Sequence, residues 1–137
     1  MADALRGSCL CGGVAYEVDG PLGGIARCHC RECRKASGAE FATNAGVPRE
    51  ALRFTRGEDL LRSHESSPGQ ERVFCGRCGS PILKRRGDRP GELRIRLGCL
   101  DSPVTDEPKI RVFTAEKLAL SEIPDDGIPS FETLPGA

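Results

Sequence analysis

Seven of the eight cysteines fall into three tight clusters, and their spacing constrains the fold more than any other feature of the chain. The clusters are Cys9-Leu10-Cys11, Cys28-His29-Cys30-Arg31-Glu32-Cys33 and Cys75-Gly76-Arg77-Cys78-Gly79. In the third, two sulfurs three residues apart can close a small ring about one metal ion. Gly79 relieves the steric penalty where the backbone must turn back toward them. Such a knuckle supplies two ligands, whereas a structural Zn²⁺ takes four. Cys9 and Cys11 are the remaining isolated pair, so counting assigns Cys9, Cys11, Cys75 and Cys78 to one closed site. That site ties the first strand to the middle of the chain across more than sixty residues. Cys28, Cys30 and Cys33 are left as three thiolates without an obvious fourth partner. Three protein ligands and an open position is the arrangement of a catalytic zinc rather than a structural one. A second structural zinc, closed by His29 or Cys99, is the competing reading. Neighbours in an extended segment point to opposite faces, which speaks against His29. Cys99 sits among apolar residues in Leu97-Gly98-Cys99-Leu100 and reads as a small buried side chain.

A staple of this kind is needed. The 137 residues fit one domain, but only 4% are aromatic, and 17 Gly with 10 Pro make the chain turn often. So thin a core depends on an added constraint. The start, Met1 to Leu10, has no apolar signal region, which makes a cytoplasmic, reducing setting the expectation. In such a setting clustered cysteines are metal ligands or reactive thiols before they are disulfides. No apolar run approaches the roughly 20 residues that span a bilayer. Twenty basic and twenty acidic residues cancel, so no global charge draws the chain to nucleic acid or an anionic membrane.

Short alternating runs predict a mainly β domain. They are Val14, Tyr16 and Val18; Phe41 and Thr43; Leu52 and Phe54; Val73; Ile82; Leu93, Ile95 and Leu97; and Ile110 with Val112. Only Cys30–Ser37 and Arg49–Leu52 read as helical, a turn or two each. In the Leu93–Leu97 run, Arg94 and Arg96 form a basic face expected to be solvated. His64, in a polar loop-like stretch, and the run Lys84-Arg85-Arg86 with Arg89 are likewise expected to face water. Residues 1–123 are expected to form the domain, with 124–137, rich in Asp, Gly and Pro, as a loosely attached extension.

The chemistry of three thiolates narrows the function. With Zn²⁺ they carry a net charge of −1, which is poor for generating hydroxide but suited to holding and ionising a soft ligand such as an incoming thiol. Arg27, Arg31, Arg34 and Lys35 are the cations expected to offset that charge and attract an anionic substrate.

Three stretches carry a family resemblance: Gly7-Ser8-Cys9-Leu10-Cys11-Gly12-Gly13-Val14-Ala15-Tyr16, Cys28-His29-Cys30-Arg31-Glu32-Cys33-Arg34-Lys35-Ala36-Ser37-Gly38, and Phe74-Cys75-Gly76-Arg77-Cys78-Gly79-Ser80. In this order they resemble the signatures of the glutathione-dependent formaldehyde-activating family, whose domain is shared with centromere protein V. Gly98-Cys99-Leu100-Asp101 resembles its later Gly-x-Leu-Asp element. Lys109 and Leu120 stand where many members carry a His and a Trp.

The resemblance implies a β-tent, with short antiparallel sheets pinned near a zinc. It also implies two zinc sites, a structural one at Cys9, Cys11, Cys75 and Cys78 and a functional, labile one at Cys28, Cys30 and Cys33. The implied activity is that of a carbon–sulfur lyase that joins glutathione and formaldehyde into S-hydroxymethylglutathione, or reverses that reaction. On this template zinc binds the glutathione sulfur or polarises the aldehyde oxygen, and Arg27, Arg31 or Arg34 holds a glutathione carboxylate. Two other functions fit the clusters: a non-catalytic zinc module that binds a partner, and a redox or zinc-storage protein.

Overall fold

Register in the larger of two sheets explains which residues become core. The computed structural model describes residues 4–135. Its elements are β1 (Leu5–Ser8), β2 (Ala15–Val18), β3 (Ile25–Cys28), α1 (Arg31–Ser37), β4 (Ala42–Pro48), β5 (Leu52–Arg56), β6 (Leu61–Ser67), β7 (Gln70–Cys75), β8 (Pro81–Arg86), β9 (Glu92–Arg96) and β10 (Ile110–Val112). A three-stranded sheet has the order β1-β2-β5, and a seven-stranded sheet the order β10-β3-β4-β9-β8-β7-β6. The fold is thus mainly β, as the alternating runs predict, and its two sheets agree with the family resemblance. One pairing departs from the antiparallel pattern, because β10 returns parallel to β3.

Across the seven-stranded sheet, Ile25, Ala45, Ile95, Leu83 and Val73 are successive register partners. All five are buried. Val73, Leu83 and Ile95 of this row meet Val14 and, from β2, Tyr16 and Val18 in the core. Side chains alternate across a strand, so the next row must face the other way. It contains Ala26, Asn44 and Arg96, again in register.

The small sheet explains the first motif. Gly7 pairs with Tyr16 across β1 and β2, and the Tyr16 ring lies flush on the Gly7 backbone. A Cβ on residue 7 would sit 2.3 Å from the ring. Tyr16 in turn meets Phe54 edge-on at 6.0 Å between centroids. The Gly98–Asp101 element docks on the same strand: the Ser8 hydroxyl donates to Asp101 at 2.6 Å, and the Asp101 N–H donates to the Arg6 carbonyl.

Residues 31–37 form the expected helix, whereas 49–51 close only a single 3₁₀ turn. His64 is exposed, as predicted, but it lies on β6 rather than in a loop. The segment after Pro124 is not loosely attached. The Arg111 N–H donates to the Pro129 carbonyl, and the Phe131 N–H donates to the Arg111 carbonyl. The Arg111 guanidinium, 2% exposed, grips Asp126 through two nitrogens. Backbone hydrogen bonding along the free edge of β10 outweighs the turn-rich composition that suggested looseness. Among the described residues no helix is long and apolar enough to cross a membrane.

Candidate metal centre

The first cysteine set is brought together from β1–β2 and from the end of β7. The sulfurs of Cys9, Cys11, Cys75 and Cys78 lie within 4.8 Å of one another. Cys9 and Cys11 are 3.6 Å apart, and Cys11 and Cys75 3.9 Å apart. A tetrahedral Zn²⁺ with 2.3 Å bonds has edges of about 3.8 Å, so four sulfurs at these separations fit that ion. The surrounding N–H groups point at sulfur: Val14 donates to Cys9 at 3.2 Å, Gly13 to Cys11 at 3.4 Å and Arg77 to Cys75 at 3.4 Å. The Ser80 hydroxyl, 3.3 Å from Cys78, with the Ser80 and Cys11 backbone N–H groups, holds the Cys78 thiol down to about 5. Gly79 adopts φ 82°, and its N–H closes onto the Cys75 carbonyl at 2.8 Å. The knuckle expected of this glycine is present.

The second set is built where β3 ends and α1 begins. Cys28 is the last residue of β3, Cys30 is the N-cap of α1, and Cys33 lies one turn in. The Cys30 sulfur accepts the Cys33 N–H at 3.3 Å, doing the work usually given to a Ser or Asp cap. Glu32 in the first turn and Arg34 with Lys35 in the last suit the helix dipole. The three sulfurs lie within 4.8 Å of one another, with Cys28 and Cys33 buried and Cys30 half-buried. Among the described residues no fourth His, Cys, Asp or Glu joins them. This donor set also fits a thiophilic ion, with one coordination position left over.

Electrostatics distinguishes the three. Hydrogen bonds from Cys28 and Cys30 pull the Cys33 thiol far below its ordinary range, and the Arg96 and Arg72 charges act in the same direction. Cys28, which donates to both neighbours and is buried, is pushed far up. The cations facing Cys33 are therefore not the ones the local sequence suggested. Arg27 lies over the Phe41 ring at 5.1 Å. Arg31 and Lys35 are exposed, and the Arg34 Nε donates to the Glu116 carbonyl at 3.1 Å. Arg96 and Arg72 are 7% and 8% exposed instead. The basic face of β9, expected to be solvated, is turned toward the thiols, because the opposite face is the core. Its alternation with Leu93 and Ile95 was the signal that could have revealed this.

His29 is buried beside the trio without joining it. Its ring tilts against Phe41 at 5.1 Å, and its Nδ1 finds no partner. Burial, and then the Arg111 charge, lower its pKa. Cys99 joins neither set. It packs against the main core, and its thiol lies 3.3 Å from the Pro81 carbonyl. All eight cysteines are free thiols.

Comparison with known proteins agrees with this arrangement. The family model described as glutathione-dependent formaldehyde-activating enzyme matches residues 4–116. A Halomonas elongata protein carrying that family's name is 36% identical over 86 residues, 57% of this chain and 54% of its own length. The chain thus spans about half of that relative. A crystal structure of a Rhodobacter sphaeroides protein superposes with a TM-score of 0.62 at 26% identity, covering 73% of this chain and 91% of that one. With the family model covering most of the chain, and both cysteine sets inside the match, the chain belongs to the glutathione-dependent formaldehyde-activating family.

Proposed function

We propose that this chain is a zinc-dependent carbon–sulfur lyase that makes or breaks the S-hydroxymethyl adduct of a thiol such as glutathione. One observation carries the reading: three mutually close thiols with no fourth protein ligand among the described residues, set against two buried arginines. Cys28, Cys30 and Cys33 would hold the ion, while Cys9, Cys11, Cys75 and Cys78 would hold a purely structural one. Zinc at the trio supplies a position at which an incoming thiol ionises at neutral pH.

The rest is done by the chain. Arg72 and Arg96 balance the negative charge of the thiolates, so a further anionic sulfur can approach. In the forward direction the thiol gives up its proton, and its sulfur electron pair forms the bond to the carbonyl carbon of formaldehyde. The C=O π pair moves to oxygen, which takes a proton and becomes the hydroxyl of the adduct. In reverse the hydroxyl loses its proton, the C–S bond breaks and the electron pair returns to sulfur. A reducing compartment, which keeps the cysteines as thiols, suits this chemistry.

The uncatalysed addition is itself easy, so the test is exchange at equilibrium. ¹³C-formaldehyde and glutathione are mixed, and exchange between free and adduct carbon is followed by NMR. Wild type should accelerate exchange well above buffer, and folded Cys28→Ser should return it to the buffer rate. Wild-type exchange no faster than buffer would sink the lyase reading and leave a non-catalytic zinc module.

A further inference from the structure

Cys30 caps helix α1 and Cys33 lies within it, yet little packing holds that helix in place. Cys33 is its one buried side chain, and a helix of seven residues has little stability of its own. Cys28 belongs to β3, whereas Cys30 and Cys33 move with the helix. The spacing of the three sulfurs therefore depends on the polar contacts that seat α1 on the rest of the chain. On one side Glu32 meets Arg72 at 3.5 Å and the Ser67 hydroxyl at 3.4 Å. On the other side stands Glu116, which the reaction above does not use.

Glu116 holds the helix at two points. Its Oε1 accepts the Arg31 N–H at 3.0 Å, and its carbonyl accepts the Arg34 Nε at 3.1 Å. The Arg31 N–H is the first of α1, so it has no partner inside the helix, and it belongs to the residue that follows Cys30. The two contacts span 85 and 82 residues of sequence. They fix the helix against a distant segment rather than stiffening it locally.

That segment is firmly seated. Phe113 follows β10 and adopts φ 57°, and it is the one non-glycine residue with positive φ among the described residues. Such a conformation persists only where the surroundings impose it. It leads the chain off the sheet into the 3₁₀ turn Thr114–Glu116. The Phe113 side chain meanwhile packs on the cluster of Cys28, Cys33, Ala42 and Val112. The tail backs the turn: the Phe113, Thr114 and Ala115 N–H groups donate to the Thr133, Phe131 and Glu132 carbonyls at 3.2, 3.0 and 3.3 Å.

We propose that Glu116 is a positioning residue of the trio. By holding α1 through the Arg31 N–H, it keeps the Cys30 and Cys33 sulfurs within reach of the ion that Cys28 also binds. The inference rests on the reading of the trio as a metal site, and it concerns the affinity for the ion rather than turnover.

The experiment compares the full chain with Glu116→Ala and Glu116→Gln, using zinc alone as the probe. Competition against a chromophoric chelator separates the trio from the four-cysteine site, and amide exchange of α1 is followed in the zinc-loaded chains. Alanine removes the acceptor, whereas glutamine keeps an acceptor oxygen at the same reach and removes only the charge. Glu116 is exposed, so its truncation leaves the core intact. Loss of one hydrogen bond to a charged acceptor corresponds to about tenfold in an equilibrium. Glu116→Ala should weaken the trio by that factor, leave the four-cysteine phase unmoved and speed exchange of the Arg31 N–H. Glu116→Gln should return both to near the wild-type values. Wild-type affinity at the trio in Glu116→Ala overturns the proposal. So does equal weakening of both phases, which marks a general loss of stability. Failure of Glu116→Gln to recover overturns it as well, because charge rather than the hydrogen bond is then at work. If the wild-type chain shows no second phase, the reading of the trio as a metal site falls, and this proposal with it.

Discussion

Arg72 reaches the Cys33 sulfur across 3.6 Å while its Nε donates to the Ser66 hydroxyl at 2.8 Å and its third nitrogen pairs with Glu32. One planar side chain thus links β7, the end of β6 and α1, and aims a positive charge at the most acidic thiol of the trio. Outer partners of this kind set both the orientation and the basicity of a metal ligand.

Arg72→Met should therefore weaken metal binding at the trio by about 10–100-fold. The four-cysteine site, on the other side of the sheet, should be unaffected. Competition against a chromophoric chelator reads the two sites as separate phases, and only the weaker phase should move. Arg72→Lys keeps the charge but cannot make three directed contacts at once, so it should fall between.

The two cysteine sets should differ in what they do for folding. Structural zinc sites contribute apparent binding energies of about 10–16 kcal/mol, comparable with the whole stability of a small domain. Cys75→Ser should leave the chain unfolded by circular dichroism, as should exhaustive chelation. Cys28→Ser should stay folded and reduce the zinc content from two ions per chain to one in anaerobic preparations. One zinc in both Cys28→Ser and wild type would contradict a second site.

Gly7→Ala should destabilise the small sheet, because the new methyl meets the Tyr16 ring at 2.3 Å. Overpacking of this sort typically costs about 1–3 kcal/mol. The measurement is a urea titration with zinc in excess, and the midpoint should fall while the slope stays constant.

The attachment of residues 124–135 should depend on acid. Arg111 and the Ile128 N–H hold the Asp126 carboxyl at about 2, below its ordinary 3.8. A depressed carboxyl stabilises the state in which it is paired. Docking should be complete above about pH 4 and lost as pH falls through about 2. Asp126→Asn should remove that dependence and speed amide exchange at Arg111 and Phe131 by an order of magnitude. Exchange unchanged by the substitution would show that the backbone hydrogen bonds alone hold the tail.

Much of this was legible without coordinates because it is local. Ligand spacing, the helix from residue 31 to 37 and the alternation in β2 and β9 depend on neighbours in sequence, where periodicity and turn chemistry act. Strands β1, β3 and β6 were not foreseen. β1 and β3 are only four residues long and β6 is mostly polar, so none shows a clear alternation, and they form because a partner strand offers its free hydrogen bonds. The tail of 124–135 departs from its composition for the same reason: its residues favour turns, and the open edge of β10 overrides that preference.

By itself the sequence determined that the chain is β-rich and that four of its cysteines group at one place and three more at another, since counting ligands requires no knowledge of register. It could not say which cations serve that second place. Arg27, Arg31 and Arg34 are near the trio in sequence, but they lie against Phe41, in solvent and on the Glu116 carbonyl. Arg72, Lys84 and Arg96 are 39 or more residues from Cys33 along the chain. They reach its side of the sheet only because β7, β8 and β9 pair in one register. A slip of one residue would send all three to the core face. The packing of Ile95, Leu83 and Val73 forbids that slip, so burial of the apolar row is what delivers the positive charge to the thiols.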